Sequence, residues 1–333
     1  MVMAENTAKS NFSHKAAASN LWRFNTILLY LLVSFFVILY SRDHGQTFLL
    51  NSKQDGFTSQ VNYIWNYVDG DNSIFQLDPL LWIHALRALI AYVFVSIEDA
   101  GGNAAVYFTI LAMTLPILNV FSRFKRGFIV VLLPISMAAL SPRTILVIIS
   151  VAYLIIYMRA KSGIGHLIVS FVFTNLSSGV VMNNLLISST VIRNHKKSIS
   201  LNVYIALLFI SLTISVSDKY SGFIEQRAGY DSAVYGATGF WAILSRSTIY
   251  TSAINADYAR LFVYIALASL AVAMLFFTLR SRQYRGYFAI MLSAIPSLAF
   301  EGLGFVSLLV PILLLLAGAR LPWHPQESVK RHD

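Results

Sequence analysis

The chain is 333 residues long, 57% hydrophobic and 12% charged, with a net charge of +10 and no cysteine. A soluble domain carries about a quarter of its residues as charge, so the composition argues against one, and the missing thiols exclude disulfides and cysteine metal sites. The basic residues lie in short clusters beside apolar runs, the pattern of membrane topology rather than of a nucleic-acid face.

In chain order, a polar stretch precedes the first apolar run, 24–40, and no small-residue cleavage site follows it, so no cleavable signal is expected. A polar segment, 41–78, holds five aspartates with Tyr63 and Trp65. Further apolar runs follow at 80–97, 104–121, 128–140, 144–158, 164–174 with 179–192, 201–216, 261–279, 287–300 and 305–317. These runs do not alternate in polarity, which excludes a membrane barrel. The expected fold is therefore all-α: a polytopic integral membrane protein with about 10–11 hydrophobic helical segments, several of them short or broken. One transmembrane domain is expected over 1–333, with extracytoplasmic loops at 41–78 and 217–257 and a cytoplasmic tail at 318–333. The seven histidines show no i, i+3 or i, i+4 pair, and no phosphate-binding G-x-x-x-x-G-K-[ST] loop occurs, so neither a metal nor a nucleotide cofactor is expected.

Orientation follows from the basic clusters at Arg123–Lys125–Arg126, Arg159–Lys161, Arg193–Lys197 and Arg280–Arg285. With all of them cytoplasmic, both termini are cytoplasmic and the turns at 140–143, 173–179 and 300–304 face outward. Run 80–97 then cannot be a simple span, because both of its ends lie outside. It reads as a re-entrant or surface-lying helix; the alternative is that one basic loop departs from the rule.

The unusual polar residues gather on the outer side. Arg143 follows Pro142 between two apolar runs and is expected near or below the outer surface, facing a cavity or snorkelling to headgroups. Arg227 and Arg246 lie in the loop 217–257 among tyrosines and Trp241. Guanidinium forks suit phosphate and aromatic faces suit sugar rings. Glu225 and Asp231 flank Arg227 and are the candidate general bases. Asn175, Ser177 and Ser178 interrupt an apolar stretch, either to bind a ligand or to satisfy freed backbone groups. Arg87 adds a cation to the run 80–97.

The segments "QLDPLLWIHALRALI", "NVFSRFKRG" and "ALSPRTILVIISVAYLIIYMRAKSG" come in the order of elements found in Wzy-type bacterial polysaccharide polymerases, especially the EpsG-like branch, which the chain resembles over most of its length. Arg143 stands where that family has an arginine. Where the family often has a Phe-His pair followed by Ser, Thr174 and Asn175 follow Phe173. The resemblance implies a GT-C-like fold in the bacterial inner membrane. It also implies metal-independent polymerisation of undecaprenyl-diphosphate-linked oligosaccharide repeat units on the periplasmic face, making O-antigen, capsule or exopolysaccharide. It implies lipid-linked glycans, membrane lipid and a chain-length regulator protein as partners. Arg143, Arg227, Arg246, Arg87, Asn175 and Ser178 are then expected at the diphosphate and substrate, with Glu225 or Asp231 as base. Two other readings stay open: a membrane O-acyltransferase modifying polysaccharide, and a lipid-linked sugar ligase or flippase.

Overall fold

The protein is described by a computed structural model over residues 20–39, 79–140, 142–160, 163–192, 199–225, 258–281, 284–298 and 306–319. Among these residues there are helices and turns and no strand. The helices are α1 (Asn20–Leu39), α2 (Pro79–Phe121), α3 (Leu132–Ala139), α4 (Pro142–Ala160), α5 (Gly165–Thr174), α6 (Ser178–Ile192), α7 (Ile199–Glu225), α8 (Tyr258–Arg280), α9 (Arg285–Leu298) and α10 (Leu309–Leu316). A short 3-10 helix, Gly127–Val131, leads into α3. By length and composition, two helical stretches among the described residues could cross a membrane, Asn20–Leu39 and Ala85–Phe121.

The core follows from α4. Its residues Ile145–Ile149 and Val151–Ile156 are buried on every side, as a stretch apolar on nearly every face requires. It packs against α2, α5, α6 and α10. Pro142 opens it, at a position where the missing N–H costs no hydrogen bond. The helix runs on to Ala160 and so extends beyond the apolar run 144–158 at both ends. Its length is roughly 28 Å. Arg143 stands in its first turn and Arg159 in its last. By contrast, α1 and α8 show large apolar side chains outward: Phe24 is 62% exposed and Phe262 74%.

α2 is two helices, not one rod. Gly102 sits inside it at φ 66°, ψ −173°, which only glycine adopts readily. Side-chain contacts require the change of direction. Arg87 reaches the same turn as Arg143, while the Tyr153 hydroxyl donates to the Met113 carbonyl at 2.9 Å. Residues 143 and 153 lie roughly 15 Å apart along α4, whereas a straight helix from 87 to 113 would span roughly 39 Å. The expected separation of 80–97 from 104–121 is thus made at Gly102. The second half is tied to α1 by the buried pair Tyr30–Thr114, whose hydroxyl oxygens are 2.6 Å apart.

Candidate functional site

The break between α5 and α6 gathers five of the residues singled out by the sequence. α5 stops at Thr174, and its last bonds tighten, with Leu176 N–H donating to the Phe173 carbonyl at 3.2 Å and Ser177 N–H to the Thr174 carbonyl at 3.2 Å. The carbonyls at a helix C-terminus lack intrahelical partners and carry the negative end of its dipole. Two guanidinium groups from distant helices meet them. Arg87 Nε donates to the Asn175 carbonyl at 2.6 Å. Arg143 donates to the Leu176 carbonyl twice, from Nε at 3.0 Å and from Nη2 at 2.7 Å. Arg87 is 8% exposed, and Arg143 is half-buried.

This arrangement explains how an arginine is tolerated in the first turn of α4. The dipole of its own helix disfavours a cation there, and the C-terminal end of α5 attracts it. The bonds from the guanidinium to that carbonyl are charge-assisted, and no carboxylate occurs in the sequence between Asp99 and Asp218, the stretch that contains α3 to α6. The expectation of Arg143 opening onto a cavity is therefore refined: two of its donors hold a protein carbonyl.

The same turn carries polar atoms without partners. Asn175 donates from Nδ2 to the Phe171 carbonyl at 2.8 Å, but its Oδ1 has no hydrogen bond, and neither do the hydroxyls of Ser177 and Ser178. Ser177 immediately precedes α6, where a serine ordinarily caps the first amides; here its hydroxyl does not. Below the turn, Asn184 Nδ2 donates to Thr174 Oγ1 at 2.6 Å, and Thr174 Oγ1 donates to the Ser170 carbonyl at 2.6 Å. The Ser170 hydroxyl donates to the Ser150 carbonyl at 2.8 Å and accepts from Tyr204, 2.8 Å away.

A second polar knot ties α6 to α9 and to the turn before α10. Asn183 Nδ2 donates to Ser307 Oγ at 3.0 Å, and the Ser293 hydroxyl donates to Asn183 Oδ1. Asn183→Leu keeps the branched shape of the side chain but removes the amide that both buried hydroxyls meet, while Ser293 keeps its bond to the Ile290 carbonyl at 2.6 Å. It is expected to cost about 1–3 kcal/mol, read as a lower melting temperature of the purified protein. Ser307→Ala added to it should cost less than the sum of the two, and additive costs would show that the pair does not interact.

Sequence reasoning did not find Asn183, Ser293, Ser307 or Tyr204. Nor did it find Asn184 or Ser188, although their spacing of four puts them on one face of α6. His166 lies away from this turn, its ring 5.4 Å from that of Tyr153, consistent with a structural role.

Glu225 is the last residue of α7, and its side chain lies outside the described residues, as do Arg227, Asp231 and Arg246. The described side chains that hydrogen-bond around the turn are cationic or neutral, so the turn offers donors for an anion rather than a base. Among the described residues, no three His, Cys, Asp or Glu side chains gather in a metal-binding group. No family model matches the chain, and no curated protein or solved structure matches it either.

Proposed function

We propose that the chain is a polytopic, GT-C-like membrane glycosyltransferase of the Wzy type, polymerising lipid-diphosphate-linked oligosaccharide repeats on the outer face of the bacterial inner membrane. The observation that carries this reading is the convergence of Arg87 and Arg143 on one turn with Asn175 and Ser178. All four came from the sequence as diphosphate-site candidates, and they come from α2, α4, α6 and the turn between α5 and α6.

The membrane setting is supported by the distribution of apolar surface. The largely apolar middle of α4 is buried, whereas α1, α2, α7 and α8 show large apolar side chains outward. Soluble monomers rarely expose such continuous surface. The length of α4 is close to a hydrocarbon core of about 30 Å. Arg143 and Arg159 stand at opposite ends of it, so reading the basic loops as cytoplasmic puts Arg143 on the outer side. The helix ending at Gly102 fits a re-entrant or surface-lying element on that outer side.

In this reaction the bond between the anomeric carbon and the diphosphate oxygen breaks, and the diphosphate leaves with the electron pair. The acceptor hydroxyl oxygen forms the new bond to that carbon, and its proton passes to a base. Donors at the α5–α6 break stabilise the charge growing on the leaving group. Glu225 or Asp231 is the proposed base, and Arg227 and Arg246 the proposed further phosphate contacts.

Detergent-purified protein given lipid-linked repeat units should make a ladder of products without nucleotide sugar and in the presence of a chelator. Failure to elongate, or transfer that depends on acetyl-CoA, would overturn the proposal, the latter in favour of an acyltransferase.

A further inference from the structure

The N-terminus of α6 is more than the end of a helix. Ser177 and Ser178 form its rim, both are 0% exposed, and neither hydroxyl has a hydrogen-bond partner. Buried hydroxyls without partners are uncommon in native structures and call for an explanation. The first amides of α6 are not paired within the helix. Val180 and Val181 N–H both donate to the Ser177 carbonyl, at 3.1 and 3.0 Å, which leaves the N–H groups of Ser178 and Gly179 with no intrahelical acceptor.

A buried water could satisfy one or two of these groups. The electrostatics favour an anion. Two hydroxyls and two amides surround the positive end of a 15-residue helix. No carboxylate occurs anywhere on α3 to α6. The two guanidinium groups hold adjacent carbonyls one and two residues before the rim.

We propose that this rim is an oxyanion site, in which the hydroxyls of Ser177 and Ser178 and the first amides of α6 hold a phosphate of a diphosphate ligand. Arg87 and Arg143 fix the turn that presents them. The choice of a diphosphate rests on the function proposed above, whereas the anion site itself does not. Because the rim is shielded from bulk water, its donors act where they stabilise charge most.

The test uses the full-length protein in neutral detergent, with inorganic pyrophosphate as probe in equilibrium dialysis and inorganic phosphate as the comparison. Pyrophosphate should bind, and Ser177→Ala combined with Ser178→Ala should weaken it by at least about tenfold, since hydrogen bonds to a charged ligand are among the stronger ones. The melting temperature of the unliganded double variant should stay level or rise, because a buried hydroxyl with no partner adds no stability. Ser188→Ala removes another partnerless hydroxyl, about three turns further along α6, and should leave affinity unchanged.

Three results would overturn the site: no pyrophosphate binding by the wild type, equal affinity in the double variant, or a melting temperature that falls in step with affinity. Inorganic phosphate binding as tightly as pyrophosphate would overturn the diphosphate assignment. Binding that depends on both serines in a protein that makes no product ladder would keep the site and remove the polymerase reading.

Discussion

Arg143→Ala should abolish polymer while the protein still accumulates in the membrane fraction. The guanidinium gives two donors to one carbonyl, Leu176, at the break between α5 and α6. Charge-assisted bonds of this kind contribute about 1.5–3 kcal/mol each. Removing them leaves a carbonyl at the negative end of α5 without its cation and lets the turn bearing Asn175, Ser177 and Ser178 shift. Misplacement of a site by about 1 Å can cost about a hundredfold in rate.

Arg143→Lys is the more informative partner experiment. Lysine keeps the charge but lacks the planar fork, so it cannot reproduce the paired Nε and Nη2 contacts. Chain lengths on a gel should collapse in both variants, with membrane-fraction blots showing comparable protein. Wild-type chain lengths in Arg143→Ala would remove the turn from the mechanism. Full rescue by lysine would reduce its part to charge alone.

The largest effect on stability is expected at Gly127, which closes the basic turn after α2. A Cβ there would lie 2.0 Å from the Phe121 carbonyl oxygen and 2.8 Å from its carbon. Both atoms are backbone, at the end of a helix whose last turn is bonded through Ser122 N–H to the Leu118 carbonyl at 2.8 Å. No side-chain rotation can relieve the clash, so either the helix end or the 3-10 segment must move. Overpacking of a flexible neighbour costs about 1–3 kcal/mol, and a rigid one more. Gly127→Ala should therefore lower the melting temperature by roughly 5 °C or more, or remove folded protein from the membrane altogether.

Gly165→Ala is the matched control, because nothing lies within 4 Å of a Cβ built there. Equal melting of the two variants would show that the turn yields easily. The contrast matters for function because the turn sets the path from α2 into α3 and α4, and α4 carries Arg143.

Much of the helical architecture was legible in the sequence. Apolar runs bounded by basic clusters gave helices near the expected places, and the breaks at 140–143 and 173–179 coincide with the ends of α3 and α5. Proline, glycine and clustered polar residues act locally, so their positions mark helix ends without reference to the rest of the fold. The division of 80–121 was visible too, as a Gly-Gly pair at 101–102, although its change of direction needed the φ of Gly102 and the side-chain contacts on either side of it.

The site was legible as a list and not as a place. Arg87, Arg143, Asn175 and Ser178 could each be named as unusual polar residues in apolar surroundings, but nothing local says that Arg87 reaches across 88 positions and Arg143 across 33 to neighbouring carbonyls. Ser177 differs from an ordinary helix cap only in what its hydroxyl fails to meet. Asn183 and Asn184 are adjacent in sequence yet serve different neighbours, Ser307 and Thr174, because a step of one residue turns about 100° around a helix. Periodicity and breakers therefore determined by themselves where helices begin and end. Tertiary packing alone decided which polar atoms meet, because nearly uniform apolar helix surfaces carry little local information about their partners.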